Sequence, residues 1–115
     1  MARVYVACDD LFFRVKLGAA LQAMGEETGV APDEADVAIV DLDLRREDPI
    51  ARIGMLKEHG VKVLAFAPHV ERDKRRAAQA AGADLVAFRS QIAEDLPGLL
   101  GRLAIVTAGS DPPAA

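Results

Sequence analysis

Two short apolar runs that each end in aspartate constrain this chain more than anything else in it. Val4-Tyr5-Val6-Ala7 leads into Cys8-Asp9-Asp10, and Val37-Ala38-Ile39-Val40 leads into Asp41-Leu42-Asp43. Continuous β-rich runs this short read as strands buried on both faces. If the two lie parallel and adjacent, their carboxylates meet at one edge of the sheet, where open α/β sheets hold their sites. That edge is then a cation site or a charge cluster with its own neutralising partner.

The rest of the chain alternates in the same way. Asp10 can cap a helix in which Phe13, Leu17, Leu21 and Met24 recur at helical spacing until Gly25. Pro49 suits the first turn of another, continued by Ile50, Ile53 and Leu56 or Lys57 and stopped by Gly60. Residues 61–66 read as a third long strand, 71–81 as a helix ended by Gly82, and 85–88 as a further strand. Residues 92–106 read as a last helix, strained near its start by Pro97-Gly98. This order predicts a parallel sheet with right-handed crossovers. One stretch breaks the alternation. Residues 26–35 are too few for a crossover with its own helix. Residues 26–31 can make a short edge strand at most, and Pro32-Asp33-Glu34 a turn or a single helical turn. The domain is expected over residues 1–106. Residues 107–115, small, polar and proline-bearing, read as a disordered or linker tail.

Composition removes several classes. With 115 residues, 51% of them apolar, the chain fits one domain with a core of its own. Cys8 is the only cysteine, so an internal disulfide is excluded. Together with an N-terminus lacking signal-peptide layout, this leads to an expectation of the cytoplasm. No apolar run approaches the roughly 18 residues of a membrane span, so no membrane is expected. A net charge of −4 argues against a general nucleic-acid binder. There is no phosphate-binding glycine loop of either common kind, and Asp9-Asp10 would repel a nucleotide phosphate. Neither Ser90 nor Ser110 sits in a nucleophile elbow. Cys8 reads as a small buried hydrophobe. His69, with no second histidine or cysteine near it in sequence, is not expected to bind metal. Arg72, Lys74, Arg75 and Arg76 make a basic run, read as a solvated face or else a docking face.

Four segments in this order resemble the receiver domain of two-component response regulators, a CheY-like, flavodoxin-like doubly wound fold. They are Cys8-Asp9-Asp10, residues 35–43 ending in Asp41-Leu42-Asp43, Val63-Leu64-Ala65-Phe66-Ala67-Pro68-His69, and Ala80-Ala81-Gly82-Ala83-Asp84-Leu85. The resemblance covers residues 3–103 and implies an α/β fold. Its mainly parallel sheet has five strands, and here the second helix is shortened or missing. It further implies that Asp41 is the phosphoacceptor of a phosphorelay. Asp9, Asp10 and Asp41, with the backbone carbonyl of Asp43, would hold Mg²⁺, and a histidine kinase would be a partner. Counting back from Gly25, however, puts Cys8 on the first acidic position. Two further departures mark an atypical receiver or pseudo-receiver. Where the family has a phosphate-sensing Ser or Thr this chain has Ala67, and where it has Lys-Pro this chain has Arg89-Ser90. Arginine keeps the charge but not the compact ammonium. Arg89 is therefore read as a charge partner for the acid cluster, and Ala67 and Ser90 as degenerate switch positions.

Three functions follow. The first is a non-enzymatic signalling domain acting through protein contacts, with phosphorylation on Asp41. The second is a phosphorylation-independent binding module neutralised by Arg89. The third and weakest is a small Mg²⁺-dependent phosphohydrolase. The missing helix leaves apolar strand surface open, so a homodimer or partner contact is expected near residues 26–36.

Overall fold

The computed structural model describes residues 2–68 and 71–110, with residues 104–110 described by their backbone alone. Strands β1 (Val4–Ala7), β2 (Val37–Asp41), β3 (Lys62–Ala67) and β4 (Leu85–Phe88) pair side by side in that order, all parallel. Helices α1 (Leu11–Ala23), α2 (Pro49–Glu58) and α3 (Arg72–Ala81) lie in the three connections, and α4 (Arg89–Ser110) follows β4. The architecture is the expected flavodoxin-like one.

Strand alternation splits the core in two. Leu64 and Phe66 of β3, with Val4 and Ile39, pack under Phe13, Leu17 and Leu21 of α1 and the Ile92, Leu96 and Leu99 face of α4. Val63, Ala65 and Ala67, with Ala38 and Val40, pack under Ile53 and Leu56 of α2 and Ala78 of α3. The first face is filled by large side chains. The second is lined by alanines and valines.

The sheet has four strands rather than five. Residues 26–31 begin an outer strand and fail to continue it. The Val4 amide donates to Glu27 O at 2.8 Å and the Glu27 amide to Ala2 O at 2.9 Å, giving one parallel bridge between Arg3 and Glu27. Gly29, at φ +75°, then turns the chain away. A single 3₁₀ turn, Pro32–Glu34, stands where the second helix would be, and the Asp36 amide donates to Arg3 O at 2.8 Å to start β2.

Local chemistry sets the helix ends. Asp10 accepts from the Phe13 amide at 3.1 Å and starts α1 directly after the β1 edge. Asp48 does the same for α2, with Pro49 in the first turn. α3 ends at Gly82, φ +108°, where a Cβ would stand 2.9 Å from Lys57 Cγ, so both backbone sign and space require glycine. The turn that follows is tied down by Asp84, whose Oδ2 accepts from the Val63 amide at 2.7 Å and from Lys57 Nζ at 2.8 Å.

The last helix departs from expectation at both ends. α4 begins at Arg89, not at Ile92. The strain assigned to Pro97-Gly98 is absent, because Asp95 leaves the helical region (φ −148°, ψ +53°) and restarts the helix. Its Oδ1 accepts from the Gly98 amide at 3.1 Å, so Pro97 falls in a first turn where its missing N–H costs nothing. The backbone of α4 runs on through Ser110. The rest of the expected tail, residues 111–115, lies outside the described residues, as does His69.

Candidate functional site

The register aligns the ends of the strands. Ala7 is level with Val40, and Asp41 with Phe66, so Cys8 and Asp41 emerge side by side at the carboxyl edge of the sheet. Among the described residues Asp41 is the charged one buried in the core, only 3% exposed. Its Oδ1 accepts from the Asp43 amide at 2.8 Å. Its Oδ2 lies 3.5 Å from Cys8 Sγ and 3.7 Å from Arg89 Nη2.

Arg89, the first residue of α4, reaches back over this edge. Its Nη1 donates to Asp10 Oδ2 at 3.1 Å while Nη2 faces Asp41. The guanidinium lies 4.5 Å above the centre of the Phe13 ring and 6.0 Å from that of Phe66. One cation thus neutralises two carboxylates and rests on an aromatic platform, a half-buried stacked setting that favours arginine over lysine.

The electrostatics follow from burial. Desolvation raises the Asp41 pKa above its ordinary value, and the Asp43 amide, the Cys8 thiol and Arg89 offset it in part. Burial pushes the Cys8 thiol up to about 11, with a backbone hydrogen bond at Asp10 opposing and the Asp41 charge adding to the rise. Cys8 is a neutral donor, fully buried as its sequence context implied.

The other expected site residues are present at the same edge but engaged elsewhere. Asp9 turns outward to the loop after β2. It accepts from the Arg45 amide at 2.7 Å, the Arg46 amide at 3.4 Å and Arg46 Nε at 2.5 Å. The Arg45 amide is the main reason its pKa is lowered, ahead of the Arg46 bonds. The Asp43 side chain is taken by Lys74 Nζ at 2.6 Å, a bond that raises the lysine's pKa. Ala67 ends β3 under α3, beside Leu42, Lys74 and Arg75. Ser90 is exposed on the first turn of α4.

These carboxylates do not form a divalent-cation site as they stand. Among the described residues no three of His, Cys, Asp or Glu converge. The three expected carboxylates are divided between two cations, Asp9 going to Arg46 and Asp10 and Asp41 to Arg89, while the Asp43 side chain, expected to contribute only its backbone carbonyl, pairs with Lys74. Mg²⁺ needs near-octahedral oxygens. The first position after β1 offers a thiol that burial keeps protonated, and Arg89 already faces both inner carboxylates. The donor set does not fit the ion.

Sequence reasoning missed two members of this edge. Lys74 was one of four basic residues on α3, and only the packing of α3 against the loop after β2 singles it out. Phe13 reads as a core residue, which it is. Its second task as the platform for Arg89 has a faint signal, since it lies three residues after the Asp10 that Arg89 also holds.

No protein-family model matches the chain, and no curated protein matches it. Solved structures do match. The Vibrio cholerae chemotaxis protein CheY4 has a TM-score of 0.78 at 20% identity, over 90% of this chain and 98% of that one. The receiver domain of the Francisella response regulator 1452 has 0.75 at 18%, over 93% and 99%. A Burkholderia pseudomallei response regulator, solved with a phosphorylated aspartic acid, calcium and citrate, has 0.76 at 19%, over 96% and 73%. The fold is therefore that of a CheY-like response-regulator receiver domain. No helix among the described residues is long and apolar enough to cross a membrane.

Proposed function

We propose that this chain is a receiver-fold signalling module of the two-component type that works through protein contacts, without enzymatic turnover, and that Arg89 is the resident cation of its acid pocket. The observation that carries this reading is the single guanidinium held by Asp10 and Asp41 over the Phe13 ring. Phosphoryl transfer needs a nucleophile, a metal and a charge-stabilising donor together. Here the nucleophile candidate is buried and paired, the metal ligands are divided, and the sensing position is Ala67, whose methyl group cannot donate a hydrogen bond. In this reading Asp41 and Arg89 fix the shape of one edge, and a protein partner reads that shape without a phosphate.

A second reading keeps Asp41 as a phosphoacceptor, with Mg²⁺ and a histidine kinase as its partners. It draws on the place of Asp41 at the carboxyl end of β2, directly beside the β1 end. The two readings separate on one titration. The protein is mixed with Mg²⁺ and beryllofluoride, or with a small phosphodonor, and backbone amide shifts and intact mass are followed. The resident-cation reading expects neither to change around residues 8–10, 41–43 and 89. Shifts or an added phosphoryl mass that vanish in Asp41→Ala would overturn it in favour of phosphorylation. Steady turnover of a phosphomonoester would instead establish the hydrolase.

A further inference from the structure

Asp95, at φ −148° and ψ +53°, divides α4 into two parts that are held by different chemistry. Behind the break, Leu96, Leu99 and Leu103 are all buried in the core layer that α1 and the sheet also build. Ahead of it lie residues 89–94. Of these only Ile92 is buried, while Ser90, Gln91, Ala93 and Glu94 are exposed. What else fixes this short part is Arg89, through Asp10 at 3.1 Å, Asp41 at 3.7 Å and the ring of Phe13.

That hold is balanced. The contact with Asp41 is an ion pair longer than a hydrogen bond. Arg89 Nε is buried and has no hydrogen-bond partner among the described residues, an unmet donor that release into water satisfies. Docking Arg89 therefore gains two carboxylates and an aromatic face, and gives up the hydration of one N–H.

The short part is also built to move as one piece. Gln91 Oε1 accepts from the Phe88 amide at 2.8 Å, which ties the first turn back to the residue ahead of it. At the other end the backbone bonding is thinned. In a continuous helix the amides of residues 97 and 98 bond back to Ala93 and Glu94. Here Pro97 has no N–H, and the Gly98 amide is taken by Asp95 Oδ1 at 3.1 Å. The start of the rear helix is thus satisfied by its own cap and does not need the carbonyls of the front part. A single residue at the end of an element is enough for a hinge.

We infer that residues 89–94 are an arm hinged at Asp95 and latched by Arg89 on Asp10 and Asp41, so that loss of the latch frees the arm as a unit while α4 beyond Pro97 stays on the core. It rests on the resident-cation reading for its meaning: the state of the acid pocket is passed to one short exposed segment and not to the sheet. The rear helix keeps three buried leucines when the latch opens, and the arm keeps one isoleucine.

Native-state hydrogen exchange on the full chain tests it, followed by NMR with neither Mg²⁺ nor a phosphodonor present. The amides of Ala93 and Glu94 report the arm, and those of Arg102 and Leu103 the rear helix. Arg89→Ala is expected to speed the first pair about tenfold more than the second, the mark of a local opening that stops at Asp95. Asp10→Asn combined with Asp41→Asn should show the same preference. It removes both carboxylates, leaves every residue of the arm in place and keeps a good cap on α1. Ile53→Val, a change in the core on the other face of the sheet, should show no such preference. An arm that stays as protected as the rear helix in either latch variant overturns the inference. So does loosening that runs on equally into Arg102 and Leu103, or a preference for the arm in Ile53→Val. A phosphoryl group found on Asp41 in the titration above would end the resident-cation reading and leave the exchange result standing, whereas an arm that stays docked ends this inference alone.

Discussion

Burial raises the pKa of the Asp41 carboxyl, and it outweighs the Asp43 amide, the Cys8 thiol and Arg89, which lower it. The sign of the pH dependence follows. Between the ordinary value of 3.8 and the raised native value, the folded state binds more protons at this group than the unfolded state. Asp41 therefore contributes stability that is full below 3.8 and lost as pH rises through its native pKa. Asp41→Asn keeps the acceptor for the Asp43 amide and removes the charge, while Asp10 still holds Arg89. It is expected to melt above the wild type at neutral pH, with the gap closing under acid conditions; a gap that widens on acidification would refute the assignment. Arg89→Met is the complementary change. It keeps an unbranched stem over Phe13 but leaves Asp41 without its cation. Breaking a fully buried pair costs about 3–5 kcal/mol. With the Arg89 side chain 32% exposed, a discounted loss of about 1–3 kcal/mol is expected at neutral pH. Urea denaturation should show that loss shrinking as Asp41 takes up a proton. Asp41, Asp10 and Arg89 were legible as a charge cluster because strand ends and chain order place them. The pairing of Asp9 with Arg46 and of Asp43 with Lys74 was not, because it depends on which way a loop and a helix turn.

Among the elements, the strands were the most legible, since short apolar runs ending in Asp or Gly have few alternatives. The break inside α4 was not, and Asp95 explains why. Proline and glycine inside an apolar helical pattern read as strain, yet one extended residue before them turns both into first-turn residues of a new helix. The close fit of that cap is visible at Gly98, where a Cβ would clash with the Asp95 carboxylate. Asp95→Ala is expected to cost about 1 kcal/mol, the usual value of an N-cap, although the residue is exposed. Asp95→Asn should keep most of it, and thermal melts of the pair give the comparison. Equal melting of Asp95→Ala and the wild type would mean that the restart of the helix does not depend on this cap. The short 26–35 crossover was read from its length. Its failure to add a fifth strand turned on Gly29, which the length alone does not reveal.

For the molecule as a whole, strand order decides where opening begins. β2 and β3 have a strand on each side, with large apolar side chains from Ile39, Leu64 and Phe66 on one face and alanines and valines on the other. β1 has a full neighbour only in β2, because its outer side is bridged once, at Arg3 and Glu27. The Val4 amide points outward to Glu27, and alternation along the strand points the Val6 amide the same way. Opening should therefore be graded. The amides of Ile39, Val40, Leu64 and Ala65 should exchange with solvent only through global unfolding, whereas that of Val6, which faces the open side of β1 beyond the single bridge, should exchange through local opening of that edge. Native-state hydrogen exchange across a low-urea series separates the two. Central amides should converge on the global unfolding free energy, about 6–17 kcal/mol at the usual 0.05–0.15 kcal/mol per residue for a chain of 115 residues. Val6 should lie well below it with a shallower urea slope. If Val6 instead follows the central strands, the bridge at Glu27 holds that edge as firmly as a complete fifth strand would.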